Sequence, residues 1–131
     1  MVACGCSKPR EDQLPVFSVS GTVTYNGQPM KGASIVLVPS QHDRRLRMPP
    51  FGVVGDDGSF VITSYGKGDG APAGEYKVTF TWPDGTEEPA DLLKGRLSDP
   101  RRPSGVVTIA EGDNVLPPIE LKGPAITPPA T

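Results

Sequence analysis

Glycine and proline constrain this chain more than any other feature. Sixteen of each occur in 131 residues, scattered along the whole length. Proline inside a helix removes a backbone donor and clashes with the preceding turn, and glycine there costs chain entropy. Long helices are therefore excluded. There is no three-residue glycine period, so a collagen-like rod is excluded too. What tolerates this spacing is a set of short strands joined by tight turns. The length suits one domain with one core. Hydrophobic residues make up 36% and charged residues 21%, a folded domain's balance. No apolar run approaches the roughly 20 residues that cross a bilayer as a helix. A net charge of −2 argues against nucleic acid as a general partner.

The strand signal is a period of two. Phe17, Val19, Gly21, Val23 and Tyr25 alternate with Ser18, Ser20, Thr22 and Thr24, which puts one face on a core and the other in water. Asn26-Gly27 follows, a turn pair that accepts positive φ. Ala33 to Val38 is β-branched and stops at Pro39; Phe51 to Gly55 is a short third strand. Asp57-Gly58 turns the chain into Ser59 to Thr63. Tyr76, Val78, Phe80 and Trp82 alternate with Lys77, Thr79 and Thr81, Gly105 to Ile109 follows, and Val115 to Leu121 is broken by Pro117-Pro118. One helical turn fits near Pro89 to Leu93. The expectation is an all-β, seven-stranded antiparallel Greek-key β-sandwich. Its inward set is Val19, Val23, Ile35, Leu37, Phe60, Ile62, Tyr76, Val78, Phe80, Val107, Ile109, Ile119 and Leu121, with Ser20 and Thr79 on wet faces. Gly21 would relieve crowding where a ring or strand crosses. Both cysteines lie in the first six residues, so packing alone must hold the core.

The amino end carries a different message. Val2-Ala3-Cys4, then Gly5 and the polar stretch Ser7 to Asp12, fits the end of a bacterial lipoprotein signal. The charged and apolar regions of such a signal do not precede it here, which points to a start upstream or a trimmed chain. Lipidation is expected at Cys4. Residues 1–15 read as lipobox remnant and flexible tether, 16–122 as the sandwich and 123–131 as a disordered tail.

Three segments, "VSGTVTYNGQPMKGASIVLVP", "GDDGSFVIT" and "GAPAGEYKVTFTW", resemble the transthyretin-like, carboxypeptidase-regulatory-like domain. Gly21, Asn26-Gly27, Gly32-Ala33, Asp57-Gly58, Phe60 and Gly74-Glu75-Tyr76 carry the likeness. It is closest to small bacterial lipoproteins built from this domain alone, and covers about residues 16 to 122. The resemblance implies a prealbumin-like sandwich. It does not bring the activity of the related purine-pathway hydrolase, because this chain has one histidine and ends Pro-Pro-Ala-Thr. Nor does it bring that of zinc carboxypeptidases, because Asp43, Arg44 and Arg45 follow His42.

The chemistry-bearing residues do not assemble into a catalytic set. His42 sits in a polar loop without a sequence partner, and neither Ser34 nor Ser104 has a base with an orienting group. Asp56, Asp57 and Asp69 fall short of the six to eight oxygens that calcium takes. The glycine-rich run from Gly66 to Gly70 opens no helix, unlike a phosphate loop. No catalytic residue, metal or cofactor is expected. Seven of the thirteen cations lie in two loops: Arg44, Arg45 and Arg47 in one, Lys94, Arg96, Arg101 and Arg102 in the other. With each strand antiparallel to its predecessor, the first loop returns to the end where the first strand starts and the second lies at the far end. Arg44, Arg45 and Arg47 are then candidate membrane-facing cations. Trp82, Arg96, Arg101 and Arg102 are candidates for binding a polysaccharide or another envelope protein. The expected function is a non-enzymatic envelope lipoprotein, anchored on the periplasmic or surface side of a membrane and acting as a structural or binding module. The rivals are a glycan-binding module and a small hydrolase or metal-dependent enzyme using His42.

Overall fold

A computed structural model describes residues 13–83 and 90–125. The described residues contain no helix and nine strands: β1 (Val19–Tyr25), β2 (Gln28–Pro29), β3 (Ser34–Pro39), β4 (Phe51–Val53), β5 (Ser59–Val61), β6 (Gly74–Thr81), β7 (Gly105–Ile109), β8 (Asn114–Val115) and β9 (Ile119–Leu121). They form two sheets. One has the order β4-β3-β6-β7, all antiparallel. The other is built around β1, which pairs antiparallel with β2 and β5 and parallel with β8 and β9. An all-β sandwich is therefore present, but two details of the expected antiparallel seven are corrected.

The turn at Asn26-Gly27, both at positive φ, folds a two-residue β2 back on Tyr25. The last expected strand splits at Pro117-Pro118, where no backbone donor is available, into β8 and β9. Their parallel pairing has a simple cause. β7 ends where Ile109 meets Gly74, and a four-residue turn reverses the chain there. The Asn114 side chain closes that turn, accepting from Ala110 N and donating to the Ala110 and Gly112 carbonyls. β8 thus runs opposite to β7, but its neighbour is β1, which starts from the same end.

The two sheets close on one core. Val19, Val23, Ile35, Leu37, Phe60, Ile62, Tyr76, Val78, Phe80 and Ile109 are all buried, while Val107, Ile119 and Leu121 pack against them half-buried. Tyr25, Met30, Ala33, Leu46, Val54, Ala71, Trp82, Leu93 and Leu116 join them. Gly21 pairs with Phe60, and a Cβ at Gly21 would lie 2.8 Å from the tip of that ring. Thr79, expected in water, is buried. The chain from 97 to 104 returns along this part of β6: Phe80 N donates to the Leu97 carbonyl and Ser104 N to the Val78 carbonyl. Thr79 Oγ1 donates to the Val36 carbonyl at 3.3 Å.

The sandwich has two ends. At one lie the start of β1, the loop after β3, the loop before β6 and the β7–β8 turn; at the other lie the β1–β2 turn, the β4–β5 turn and the long connection after β6. Phe17 pairs with Ala71 at the first end, and Leu14 N donates to Tyr65 Oη. At the second, Asn26 exchanges hydrogen bonds with Gly123, and Tyr25 Oη donates to the Pro124 carbonyl. Contacts of the sandwich therefore extend beyond 16–122 on both sides. The rest of the expected tether and most of the tail lie outside the described residues.

Candidate functional site

The first cationic loop leaves β3 at Pro39, which cannot donate to a ladder. Asp43 organises it. Its carboxylate accepts the Arg45 backbone N–H at 2.9 Å and grips the guanidinium through Nε at 3.1 Å and Nη2 at 2.9 Å. Leu46 is buried as the loop's anchor, and Tyr65 Oη donates to the Arg45 carbonyl at 2.6 Å. Hydrogen bonds from the Arg45 side chain and then its backbone hold the Asp43 carboxyl down at about 2. Arg45 is thus engaged by its neighbour. Arg44 and Arg47 are exposed and form no ion pair among the described residues.

The second cationic loop repeats the device at the opposite end. Trp82 leads out of β6, and the Asp91 carboxylate accepts from the backbone N–H groups of Trp82, Leu93 and Gly95, each at 2.9 Å. Leu93 is buried beneath, and Lys94 takes a φ of 55°. Asp99 then accepts from Arg101 N at 2.9 Å and from Nε and Nη2 at 3.2 Å each. The same bonds lower the Asp99 carboxyl and raise Arg101. Arg96 and Arg102 remain exposed without an ion pair among the described residues. The signal was present in the sequence: an aspartate stands two residues before an arginine in both loops. Bidentate carboxylate–guanidinium geometry explains why that spacing recurs.

Trp82 is corrected as a partner-binding candidate: the residue is 9% exposed, and its ring packs edge-on against Tyr25 at 6.0 Å and donates Nε1–H to the Lys31 carbonyl at 2.8 Å. A buried indole needs such a partner, and the Met30–Ala33 turn supplies it. Cys4 lies outside the described residues. The two cation groups stand at opposite ends of the sandwich, and the structure does not bring them together.

A cleft of about 640 Å³ opens at the first end, between the Leu14–Phe17 segment, the His42 loop and the start of β6. Tyr76 floors it. Its hydroxyl donates to the Pro72 carbonyl at 2.6 Å, and burial, with a smaller contribution from Tyr65, pushes its pKa up to about 12. His42, Asp43, Glu75 and Glu111 stand on its walls, yet among the described residues no three metal-ligating side chains gather. Asp57 is spent on Ser59 in the β4–β5 turn, Asp69 accepts three backbone N–H groups of residues 64–66, and Asp56 faces Lys31. The three aspartates thus serve three separate local structures. Sequence reading missed the cleft because its walls come from four distant segments.

No protein-family model matches this chain, and no curated protein is similar to it. Among solved structures it is similar to a DUF3823 family protein from Parabacteroides merdae, at 19% identity and a TM-score of 0.45. The match covers 88% of this chain and 48% of that one, so this chain spans about half that protein's length.

Proposed function

We propose that this chain is a lipid-anchored module of the bacterial cell envelope, a transthyretin-like sandwich that works by binding. The observation that carries the reading is Val2-Ala3-Cys4-Gly5, followed by a short polar stretch before β1. A thioether-linked diacylglycerol on Cys4 would supply two chains, enough for stable anchoring where one is marginal. The position of Arg44 and Arg47 supports it further. They form no ion pair among the described residues, in a loop at the end where Leu14 and Phe17 lead into β1, the end that an amino-terminal anchor would bring toward anionic headgroups. Arg96 and Arg102, at the opposite end, are then available to a polysaccharide or another envelope protein.

The test is expression in a bacterial host from the full upstream reading frame. Intact mass should show acylation on Cys4, and the protein should partition into detergent. Cys4→Ser should release it to the aqueous phase with its melting temperature unchanged, because Cys4 precedes every residue of the core. An unmodified Cys4 refutes the anchor. A hydrolase built on His42 would instead show turnover that His42→Ala abolishes.

A further inference from the structure

The walls of the cleft at the first end are tied to one another without any ligand. Phe17 and Ala71 exchange both backbone hydrogen bonds, at 2.9 and 3.0 Å, which fixes the Leu14–Phe17 wall. Ser40 N donates to the Glu75 carbonyl at 3.0 Å, which fixes the His42 loop against the start of β6. Tyr65 Oη joins the two, accepting from Leu14 N at 3.0 Å and donating to the Arg45 carbonyl at 2.6 Å. A cleft held in this way keeps its shape when empty, and a preformed site spares the ordering cost of binding. Its volume, about 640 Å³, falls in the range of small-molecule sites.

The lining offers two kinds of surface. Phe17, Pro39, Leu46, Pro72 and Tyr76 supply apolar contact, and the Tyr76 hydroxyl is already spent on the Pro72 carbonyl. Asp43, Glu75 and Glu111 supply carboxylates, and among the described residues no Lys or Arg lines the cleft, in a chain with 13 cations. The carboxylates are not equivalent. Asp43 is neutralised by Arg45, whereas Glu75 and Glu111 are exposed and form no ion pair among the described residues. Arg44 and Arg47 share the Asp43 loop but are not part of the lining. Unpaired carboxylates beside apolar walls give a field of one sign, which a cleft concentrates because its walls polarise little. An anion is repelled there, and a purely apolar ligand leaves the carboxylates unused. We propose that the cleft binds a small organic cation, an ammonium group on an apolar body. The body packs against Phe17, Leu46 and Tyr76, and the ammonium, which has three donors and no acceptor, is drawn to the Glu75 and Glu111 carboxylates. This site is separate from Arg96 and Arg102 at the far end, and it does not depend on the proposed lipid anchor.

The experiment follows backbone amide shifts by NMR in the full chain, reduced so that Cys4 and Cys6 cannot cross-link. Three compounds with nearly the same body are added in turn: phenethylamine, phenethyl alcohol and phenylacetate. Phenethylamine should move the amides of Ser40 to Asp43, Gly74 to Tyr76 and Glu111 saturably, with a Kd of about 1 mM. Phenethyl alcohol should bind about fivefold more weakly, and phenylacetate should not saturate. Hydration works the other way, because a charged head is costlier to strip of water, so a merely apolar cleft would favour the alcohol. In the double variant Glu75→Gln, Glu111→Gln the advantage of the amine should disappear while the alcohol binds as before. Glu120→Gln, at an exposed glutamate on β9 of the other sheet, should change nothing. Should the double variant fail to fold, the ranking of the three compounds on the unaltered chain decides. No saturable shift with the amine overturns the proposal. So does an alcohol that binds as tightly as the amine, or an amine advantage that survives the double variant.

Discussion

Gly21 and Phe60 face each other across β1 and β5, and the ring occupies the space a side chain at 21 would need. Gly21→Ala sets two effects against each other. Gly21 does not lie in the left-handed region, so alanine fits its backbone and stabilises by about 0.4–1 kcal/mol through the unfolded chain. The added methyl, however, would stand 2.8 Å from Phe60 Cζ and 3.3 Å from both Phe60 Cε2 and Leu116 Cβ. Phe60 is 3% exposed, so the ring cannot swing clear without disturbing its neighbours. Overpacking of this kind costs about 1–3 kcal/mol. The clash wins, and Gly21→Ala should destabilise by about 0.5–2 kcal/mol net. In a Phe60→Leu background the ring tip is gone and only the Leu116 contact remains. There the same substitution should be neutral, or stabilising by about 0.5 kcal/mol. The coupling in the double-mutant cycle is then about 1–2 kcal/mol, the double variant losing less than the sum of the singles. Equilibrium urea denaturation of the four proteins measures it, provided the slopes agree. A coupling below about 0.3 kcal/mol, the additive range, would show that the ring does not cover this glycine.

Two further outcomes follow from the titrating groups. Asp43, held down at about 2 by Arg45, should keep its pair as pH falls through the ordinary carboxylate range and lose it only near pH 2; carbon-detected NMR titration of its carboxyl should give that midpoint, and Arg45→Gln should return it to the usual range. An ordinary midpoint in the unaltered chain would mean that the pair does not persist in solution. Tyr76, raised to about 12 mainly by burial, contributes stability that is whole below the ordinary tyrosine value and is lost as pH rises through about 12. Tyr76→Phe should cost about 1–2 kcal/mol near neutral pH, because the Pro72 carbonyl loses its donor; urea midpoints at several pH values should also show a shallower alkaline decline than in the unaltered chain. Equal alkaline slopes would count against a buried hydroxyl.

Much of the interior is legible in the sequence. The alternation from Phe17 to Tyr25 and from Tyr76 to Trp82 named the buried faces, because side-chain direction in a strand is a local property of period two. Asn26-Gly27 and Asp57-Gly58 named two turns for the same reason: positive φ is required at Asn26, Gly27 and Gly58, and these residue types accept it. The placement of the two cationic loops at opposite ends was also reachable, since β1, β3, β4, β5 and β6 each reverse the direction of the one before. Less of the candidate site was legible. Trp82 alternates in register with Phe80, which points it to the core or its rim, but the Lys31 carbonyl and the Tyr25 ring that enclose it come from another part of the chain.

What the sequence determined by itself is an all-β chain: abundant proline and glycine forbid long helices, and local alternation sorts inside from outside. What only the tertiary structure decided is which strands become neighbours. That choice made β8 and β9 parallel to β1, buried Thr79 beside the returning 97–104 segment, and gathered the walls of the cleft from four distant segments. The physical reason is that turn and strand preferences act over a few residues, whereas sheet order is set by contacts across the chain. Ser20 and Val115 are brought side by side by the packing of the whole sandwich, and no local pattern records it.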